Sequence, residues 1–353
     1  MLFFFVLAIV TIFLYHLAER SNNKQIYFIA LLPPVLIEGL RNDNIGTDMN
    51  VYGAVWFYNM RVQDSLPGIL QDATTPEYAY HSLIYLGKLL SKDIHVYLTL
   101  CAAIKMGLVF FTGYKFRHLI NTSLFLAFYF SFFYFSGFSM MRQTLALSVC
   151  ILSVWYLFNE RYVVFLIIVF IAYLFHNSAL LMLIVLYLYV TRKMKFSVVI
   201  NLVGAVILYS SIPVLMEYLI GSSLFKEGVA EHYMDTGVVS AKTDMLFSIT
   251  LLMYALYSFR KGMNAQKYMA FMCAVSTLVF LFLSNYIEVA FRMSYYFVIV
   301  SVPFSLALLR KEKPVYRRIG SLAFLFLMAL QLYIGCVHGL NETLPYRSAI
   351  LGI

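Results

Sequence analysis

Apolar runs recur along the whole chain and restrict what it can fold into. Twelve such runs of 13 to 21 residues are separated by more polar connections, a pattern that predicts membrane-spanning helices. Of the 353 residues, 62% are hydrophobic and only 12% are charged, a balance outside the range of soluble domains. We therefore predict an all-α, polytopic integral membrane protein of about twelve transmembrane helices, forming a single transmembrane domain over residues 1–353. The predicted spans are 2–17, 26–40, 95–113, 119–135, 140–158, 162–176, 178–190, 196–213, 245–259, 268–284, 289–309 and 319–337.

The distribution of charge over the connections predicts the topology. One alternating set of connections holds sixteen Lys or Arg residues against three acidic ones, a net charge of +13, whereas the rest of the chain holds ten against fourteen, a net charge of −4. Basic loops stay in the cytoplasm, so both termini and the long connections 41–94 and 214–244 are expected outside it. The net charge of +9 is thus a topology signal, and we expect no nucleic-acid partner. The basic connections are 18–25, 114–118, 159–161, 191–195, 260–267 and 310–318.

Two neighbouring apolar runs predict a helical hairpin with an ionisable residue at each free end. The runs 144–158 and 162–175 have 15 and 14 residues, so each covers roughly 22 Å as a helix, less than the ~30 Å of a bilayer core. Arg142 and His176 are therefore expected inside the outer part of the membrane, where an ionisable side chain is costly and indicates function. The alternatives are that Arg142 reaches the headgroups and that His176 is only a polar helix end.

Other charged residues are predicted on the same outer side of the membrane. They are Arg41, Asp48, Glu77, Arg292 and Arg347. Each also has a purely local interpretation: Asp48 as a helix cap, Arg292 as the partner of an acid four residues earlier, and Arg347 as a headgroup contact. Arg41 and Asp48 alternatively pair with each other and hold the loop. Together these residues predict an outward surface rich in Arg, Asp, Glu and His.

Such a surface suits a substrate that carries phosphate and sugar. The guanidinium fork of Arg pairs two phosphate oxygens at once, and a carboxylate or His beside it can accept a proton from an attacking hydroxyl. The 28 Tyr residues provide rings that stack on sugars. The chain contains no Asp-x-Asp, Walker A, His-Glu-x-x-His or Gly-x-Ser-x-Gly sequence, so we expect neither a metal nor a cofactor.

Several short motifs follow one another along the chain: Arg41…Gly46-Thr47-Asp48…Tyr52, Glu77, Arg142-Gln143, Phe175-His176-Asn177-Ser178, Arg292-x-x-Tyr295 and Leu344-Pro345-Tyr346-Arg347. Their order resembles the EpsG-type membrane proteins, which are similar to Wzy-type polymerases of O-antigen, capsule and exopolysaccharide. One departure is Arg347, where Lys is expected. The resemblance implies a bacterial inner or plasma membrane location and a metal-independent fold like that of lipid-donor (GT-C-like) glycosyltransferases. It also implies undecaprenyl-diphosphate-linked oligosaccharide as the substrate, with a chain-length regulator as a candidate partner.

The first functional hypothesis is therefore an enzyme that transfers a glycan chain from undecaprenyl diphosphate to a second lipid-linked repeat unit. The predicted diphosphate-binding residues are Arg41, Arg142, Arg292 and Arg347. The predicted catalytic residues are Asp48, Glu77 and His176, and the sequence leaves open which of them is the base.

Two rival functions belong to other classes. A flippase of lipid-linked oligosaccharides needs charges near the bilayer midplane that both sides can reach, and Lys105 is the clear charge in the middle of a run. A membrane O-acyltransferase needs a cytoplasmic site for the acyl donor, and His118 is the histidine predicted on that side. Both have less sequence support than the polymerase.

The predicted topology can be tested with single cysteines in a cysteine-free background. We expect an impermeant thiol reagent to label Ser222→Cys from outside and to leave Ser21→Cys unlabelled, because Ser21 lies in a basic connection. The opposite labelling pattern would invert the topology.

Overall fold

The computed structural model describes residues 2–60, 66–71, 77–221, 242–285, 288–339 and 343–352. Every secondary-structure element within these ranges is helical, so the all-α prediction is confirmed for them. The chain divides into two compact units, Met1–Leu180 with Pro314–Ile353, and Leu181–Lys313. The single transmembrane domain stays a prediction.

The first unit consists of long apolar helices and a group of shorter ones. Three of its helices begin at an Asn or Asp that accepts hydrogen bonds from the first backbone amides, namely Asn23, Asp93 and Asn121, as expected of helix caps. Its helices are α1 (Leu2–Ser21), α2 (Lys24–Gly39), α3 (Ala54–Asn59), α4 (Leu66–Gln71), α5 (Tyr78–Leu90), α6 (Ile94–Phe116), α7 (Thr122–Tyr129), α8 (Met141–Phe158), α9 (Tyr162–Tyr173) and α15 (Pro314–Val337).

The described residues of the second unit form five further α-helices. They are α10 (Met182–Thr191), α11 (Ser197–Gly221), α12 (Lys242–Ser258), α13 (Ala265–Leu283) and α14 (Glu288–Arg310). The connection predicted at 214–244 is shorter at both ends, because α11 continues to Gly221 and α12 begins at Lys242. Residues 222–241, which include the labelling position Ser222, lie outside the described residues.

Each predicted span coincides with a helix, but only part of the predicted number is supported. Among the described residues, six helices are long and apolar enough to cross a membrane: α1, α6, α8, α13, α14 from Val289, and α15. The chain is therefore a membrane protein of several spans, whereas the total of twelve and the likeness to lipid-donor glycosyltransferases stay predictions.

The described residues of the long connection 41–94 are largely helical. It contains a π-helical turn (Met49–Gly53) and the helices α3, α4 and α5. α5 packs closely on α6, because a Cβ on Gly87 would lie 2.6 Å from the Cβ of Tyr97. One face of α5 is buried through Tyr80, Leu83 and Ile84. This region is thus a packed helical layer that holds Glu77 at the start of α5.

The predicted hairpin is confirmed, since α8 and α9 pack side by side and are joined by three residues. Arg142 lies in the first turn of α8. His176 follows the end of α9, where its amide donates to the carbonyl of Ala172 at 3.0 Å. The two free ends of the hairpin therefore return to the same end of the first unit.

Both chain termini of the first unit lie at that end as well. The ring of Phe3 stacks on Tyr346 at 5.9 Å, and Phe4 contacts Phe135 at 4.6 Å. At the opposite end, the indole of Trp155 donates to the carbonyl of Lys115 at 3.2 Å. In this unit the basic connections thus lie at one end and the hairpin tips at the other. Which end faces the cytoplasm stays a prediction.

Candidate functional site

Glu77 connects the two ends of the hairpin through its carboxylate. One oxygen, Oε2, lies 2.6 Å from Nη1 of Arg142, and the other, Oε1, pairs with Nδ1 of His176. The side chain of Glu77 is 3% exposed, that of Arg142 13% and that of His176 26%. The site is therefore most exposed on the His176 side, whereas the carboxylate is buried.

The backbone fixes this arrangement. Glu77 immediately precedes α5, and the amide of Ala79 donates to the carbonyl of Leu174 at the end of α9, at 2.9 Å. The side chain of Phe175 packs against the buried core that α3, α5, α6 and α8 share. The position of His176 relative to Glu77 is thus set by the packing of α5 against the hairpin.

Aromatic rings form a wall beside Arg142. The guanidinium carbon lies 3.7 Å from the ring centre of Tyr52 and 5.5 Å from that of Trp56, distances at which a cation is attracted to a ring face. The imidazole of His81 stacks on Trp56 at 4.5 Å with an angle of 22°. Sequence reasoning missed Trp56 and His81, although His81 follows Glu77 by one helical turn.

The charges of the site act on one another. Burial raises the pKa of Glu77, but the hydrogen bond with His176 and the positive charge of Arg142 outweigh it and hold this pKa below the ordinary value. Burial also lowers the pKa of His81, which favours the neutral form of its ring. Asp48 lies within electrostatic reach of Arg142. The site thus combines one buried carboxylate anion with an arginine and a histidine.

Arg41 lies in a different environment from the one predicted. Its side chain has no exposed surface. It donates to the carbonyls of Glu38 and Phe138 at 2.8 and 3.2 Å, and these contacts do not include the alternative partner Asp48. A residue so enclosed fits a structural role better than contact with a diphosphate.

The remaining predicted arginines fall in different places. Arg347 is exposed, and its carbonyl accepts from the amide of Asn42 at 3.0 Å, so it lies at the same end of the first unit as the hairpin tips. Arg292 is on α14 in the second unit, where Tyr295 lies within electrostatic reach of both Arg292 and Asp244. Asp244, which is buried, is a further acidic residue that sequence reasoning missed.

The site therefore brings together three of the seven predicted residues by direct contact, namely Glu77, Arg142 and His176, with Asp48 nearby. This combination can hold an anionic group and accept a proton from a hydroxyl. Within the described ranges, no group of three or more His, Cys, Asp or Glu side chains is placed to hold a metal ion.

Comparison with known families gives one match. The sequence model of the EpsG family matches residues 24–348, nearly the whole chain and all of the site described above. Comparisons with curated proteins and with solved structures give no match.

The shared carboxylate predicts a pH-dependent stability. Because its pKa is lower in the folded protein, ionised Glu77 stabilises the fold at pH values above its ordinary pKa of 4.5. This contribution is lost as the pH falls through the lower pKa of the folded state. We expect Glu77→Gln to cost on the order of 2–4 kcal/mol at pH 7, because it removes the buried negative charge that pairs with Arg142 and His176. The measurement is thermal unfolding in detergent at pH 7 and at successively lower pH.

The difference in melting temperature between the wild type and Glu77→Gln should therefore narrow below pH 4.5. A matched control is Glu19→Gln, which alters a carboxylate that pairs with Thr122 at the opposite end of the unit. A melting temperature that Glu77→Gln leaves unchanged at pH 7 would contradict the prediction.

Proposed function

Because the chain belongs to the EpsG family, we propose that it is a polysaccharide polymerase of the bacterial inner membrane. It transfers a glycan chain from undecaprenyl diphosphate to a hydroxyl of a second lipid-linked repeat unit at the outer face. The observation that carries this proposal is the carboxylate of Glu77, which holds an arginine and a histidine together at the open end of the hairpin.

The proposed reaction makes and breaks one bond at the anomeric carbon. The acceptor hydroxyl oxygen bonds to that carbon, the bond from the carbon to the diphosphate oxygen breaks, and undecaprenyl diphosphate leaves with the electron pair. The hydroxyl proton passes to a base on the protein. The site must therefore accept one proton and stabilise one developing anion.

His176 is the best-placed base among Asp48, Glu77 and His176. Both oxygens of Glu77 already pair with other side chains, and this carboxyl is 3% exposed. His176 is more exposed, and Glu77 engages its Nδ1, which directs Nε2 away from the carboxylate. A carboxylate that orients an imidazole in this way also stabilises the imidazolium formed during proton transfer.

Arg142 is suited to the leaving diphosphate. Glu77 takes one of its five N–H donors, and the ring of Tyr52 covers one face of the guanidinium. The rigid group keeps further donors for phosphate oxygens. Arg347, at the same end of the first unit, is proposed to add positive charge along the diphosphate. A contact of Arg292 with the diphosphate stays a prediction from the sequence.

The remaining side chains fit contacts with sugar. Tyr52 and Trp56 are half-buried beside Arg142, and aromatic rings of this kind stack on the apolar face of a pyranose. Asp48 is proposed to orient a sugar hydroxyl. The flippase alternative receives no support from Lys105, because this side chain is 1% exposed and pairs with Glu38.

The arginine assignment predicts a large effect of a conservative change. Arg142→Lys keeps the charge but loses the fork, so we expect a loss of about 30–1000-fold in the rate of polymer synthesis, which corresponds to roughly 2–4 kcal/mol of barrier. The assay is polymer length and amount from purified lipid-linked repeat units, normalised to protein in the membrane.

Arg117→Lys is a matched control, because Arg117 stacks over Tyr114 at 3.7 Å as Arg142 does over Tyr52, but it lies in a basic connection. The Arg117→Lys variant should synthesise polymer at the wild-type rate. If Arg142→Lys makes full-length polymer at the wild-type rate, Arg142 does not bind the diphosphate.

The histidine assignment is tested by two substitutions. If His176 is the base, His176→Ala and His176→Gln should both lose about 100–10,000-fold in the rate of polymer synthesis, because neither Ala nor Gln can accept the proton. If His176 only orients Glu77 or a sugar, His176→Gln should retain most activity, because Gln keeps a hydrogen bond to the carboxylate. That second result would move the role of base to another residue.

A further inference from the structure

A second cluster of ionisable side chains lies deeper in the first unit than the site itself. It consists of Glu38 near the end of α2, Arg41 just after that helix, and Lys105 in the middle of α6. None of the three is more than 1% exposed. Three such groups in an apolar interior are costly unless they pair with one another and with the backbone, so their arrangement must be specific.

The two cations share one carboxylate. Lys105 forms an ion pair with Oε1 of Glu38, and Nη1 of Arg41 lies 3.9 Å from the same oxygen. Arg41 also donates to the carbonyl of Glu38. The cluster therefore has one negative and two positive charges, and Glu38 holds both cations in place.

Each cation also contacts the turn that leads into α8. Nζ of Lys105 donates to the carbonyl of Gly137 at 3.3 Å, and Nη2 of Arg41 donates to the carbonyl of Phe138 at 3.2 Å. The guanidinium of Arg41 also lies 4.8 Å from the ring centre of Phe138. The break between the 3₁₀ turn Ser136–Phe138 and α8 leaves such carbonyls in need of donors.

The segment before Asp48 is fixed against the same turn. Gly46 has a φ of +98°, and a Cβ there would lie 2.4 Å from the carbonyl oxygen of Phe138, so this close approach requires glycine. The amide of Thr47 donates to Oγ of Ser139 at 3.3 Å. The turn thus joins the segments that carry Asp48 and Arg142.

We infer that Glu38, Arg41 and Lys105 form a positioning cluster, which sets the placement of Arg142 by holding the carbonyls of residues 137 and 138. Arg142 follows Phe138 by four residues, and Sδ of Met141, its neighbour, lies 3.3 Å from Nη2 of Arg41. The three residues act through Arg142 and do not touch the substrate. Their importance for glycan transfer rests on the proposed function, whereas their effect on Arg142 does not.

The test uses Trp56 as a reporter of Arg142, because the indole lies 5.5 Å from the guanidinium. The chain has two Trp residues, so Trp155→Phe leaves Trp56 as the single reporter. Glu38→Gln combined with Lys105→Met removes one charge of each sign and keeps the net charge of the cluster. We expect this double variant to increase the quenching of Trp56 by acrylamide.

The cause of that increase is tested by a thermodynamic cycle. If the cluster acts through Arg142, adding Glu38→Gln and Lys105→Met to Arg142→Lys should cause no further change in quenching. Additive effects, or unchanged quenching in the double variant, would overturn the inference. Thr122→Val, which removes a buried hydroxyl at the opposite end of the unit, is the control and should leave Trp56 unaffected.

Accumulation of the variants in the membrane shows whether a folding defect is the cause of an effect. If the double variant does not accumulate in the membrane, Lys105→Met alone, which leaves Glu38 and Arg41 as a balanced pair, replaces it with the same expectation. Failure of both to accumulate would assign the cluster to folding only and overturn the inference.

A second assay connects the cluster to glycan transfer. A displacement of about 1 Å predicts a loss of about 100-fold in polymer synthesis by the double variant. Altered Trp56 quenching with full polymer synthesis would support the cluster's action on Arg142 but contradict the proposed role of Arg142. Unaltered quenching in the double variant, with polymer lost in Arg142→Lys, would contradict the cluster's action on Arg142 and support the proposed role of Arg142.

Discussion

The hairpin end of the first unit depends on the pairing of the Glu77 carboxylate with Arg142 and His176. A buried carboxylate is stable only when its charge is paired and its oxygens are hydrogen-bonded. Here one oxygen pairs with Arg142 and the other with His176. These partners lie at the two ends of the α8–α9 hairpin, and Glu77 lies at the start of α5. One ionised side chain therefore fixes three segments that are far apart in the sequence.

Two groups of charged side chains toward the hairpin end of the first unit differ in exposure. The inner group of Glu38, Arg41 and Lys105 is fully enclosed, so its charges interact with one another and with the turn before α8. The outer group around Glu77 is more open, with His176 26% exposed. This gradient suits a membrane protein in which inner charges support the backbone and outer charges meet a polar substrate.

The sequence predicted the parts of the structure that depend on local patterns. Length and hydropathy were sufficient for the helices and for the hairpin that brings Arg142 and His176 to one end. The π-helical turn Met49–Gly53 and the helices α3 and α4 were missed, because they are short. The pairing of Glu77 with residues 65 and 99 positions away follows from tertiary packing, which no local pattern contains. Arg41 was expected at the outer surface but is buried. Glu38, one turn earlier, is the charged partner that allows this burial.

The most direct test of this account is an experimental structure of the protein in a lipid nanodisc with undecaprenyl diphosphate bound. The account predicts that the diphosphate lies at the hairpin end of the first unit, within hydrogen-bond distance of Arg142, while Glu77 still joins Arg142 to His176. A diphosphate bound at the opposite end, among the basic connections that include Lys115 and Arg117, would contradict it. So would a Glu77 carboxylate that contacts neither Arg142 nor His176.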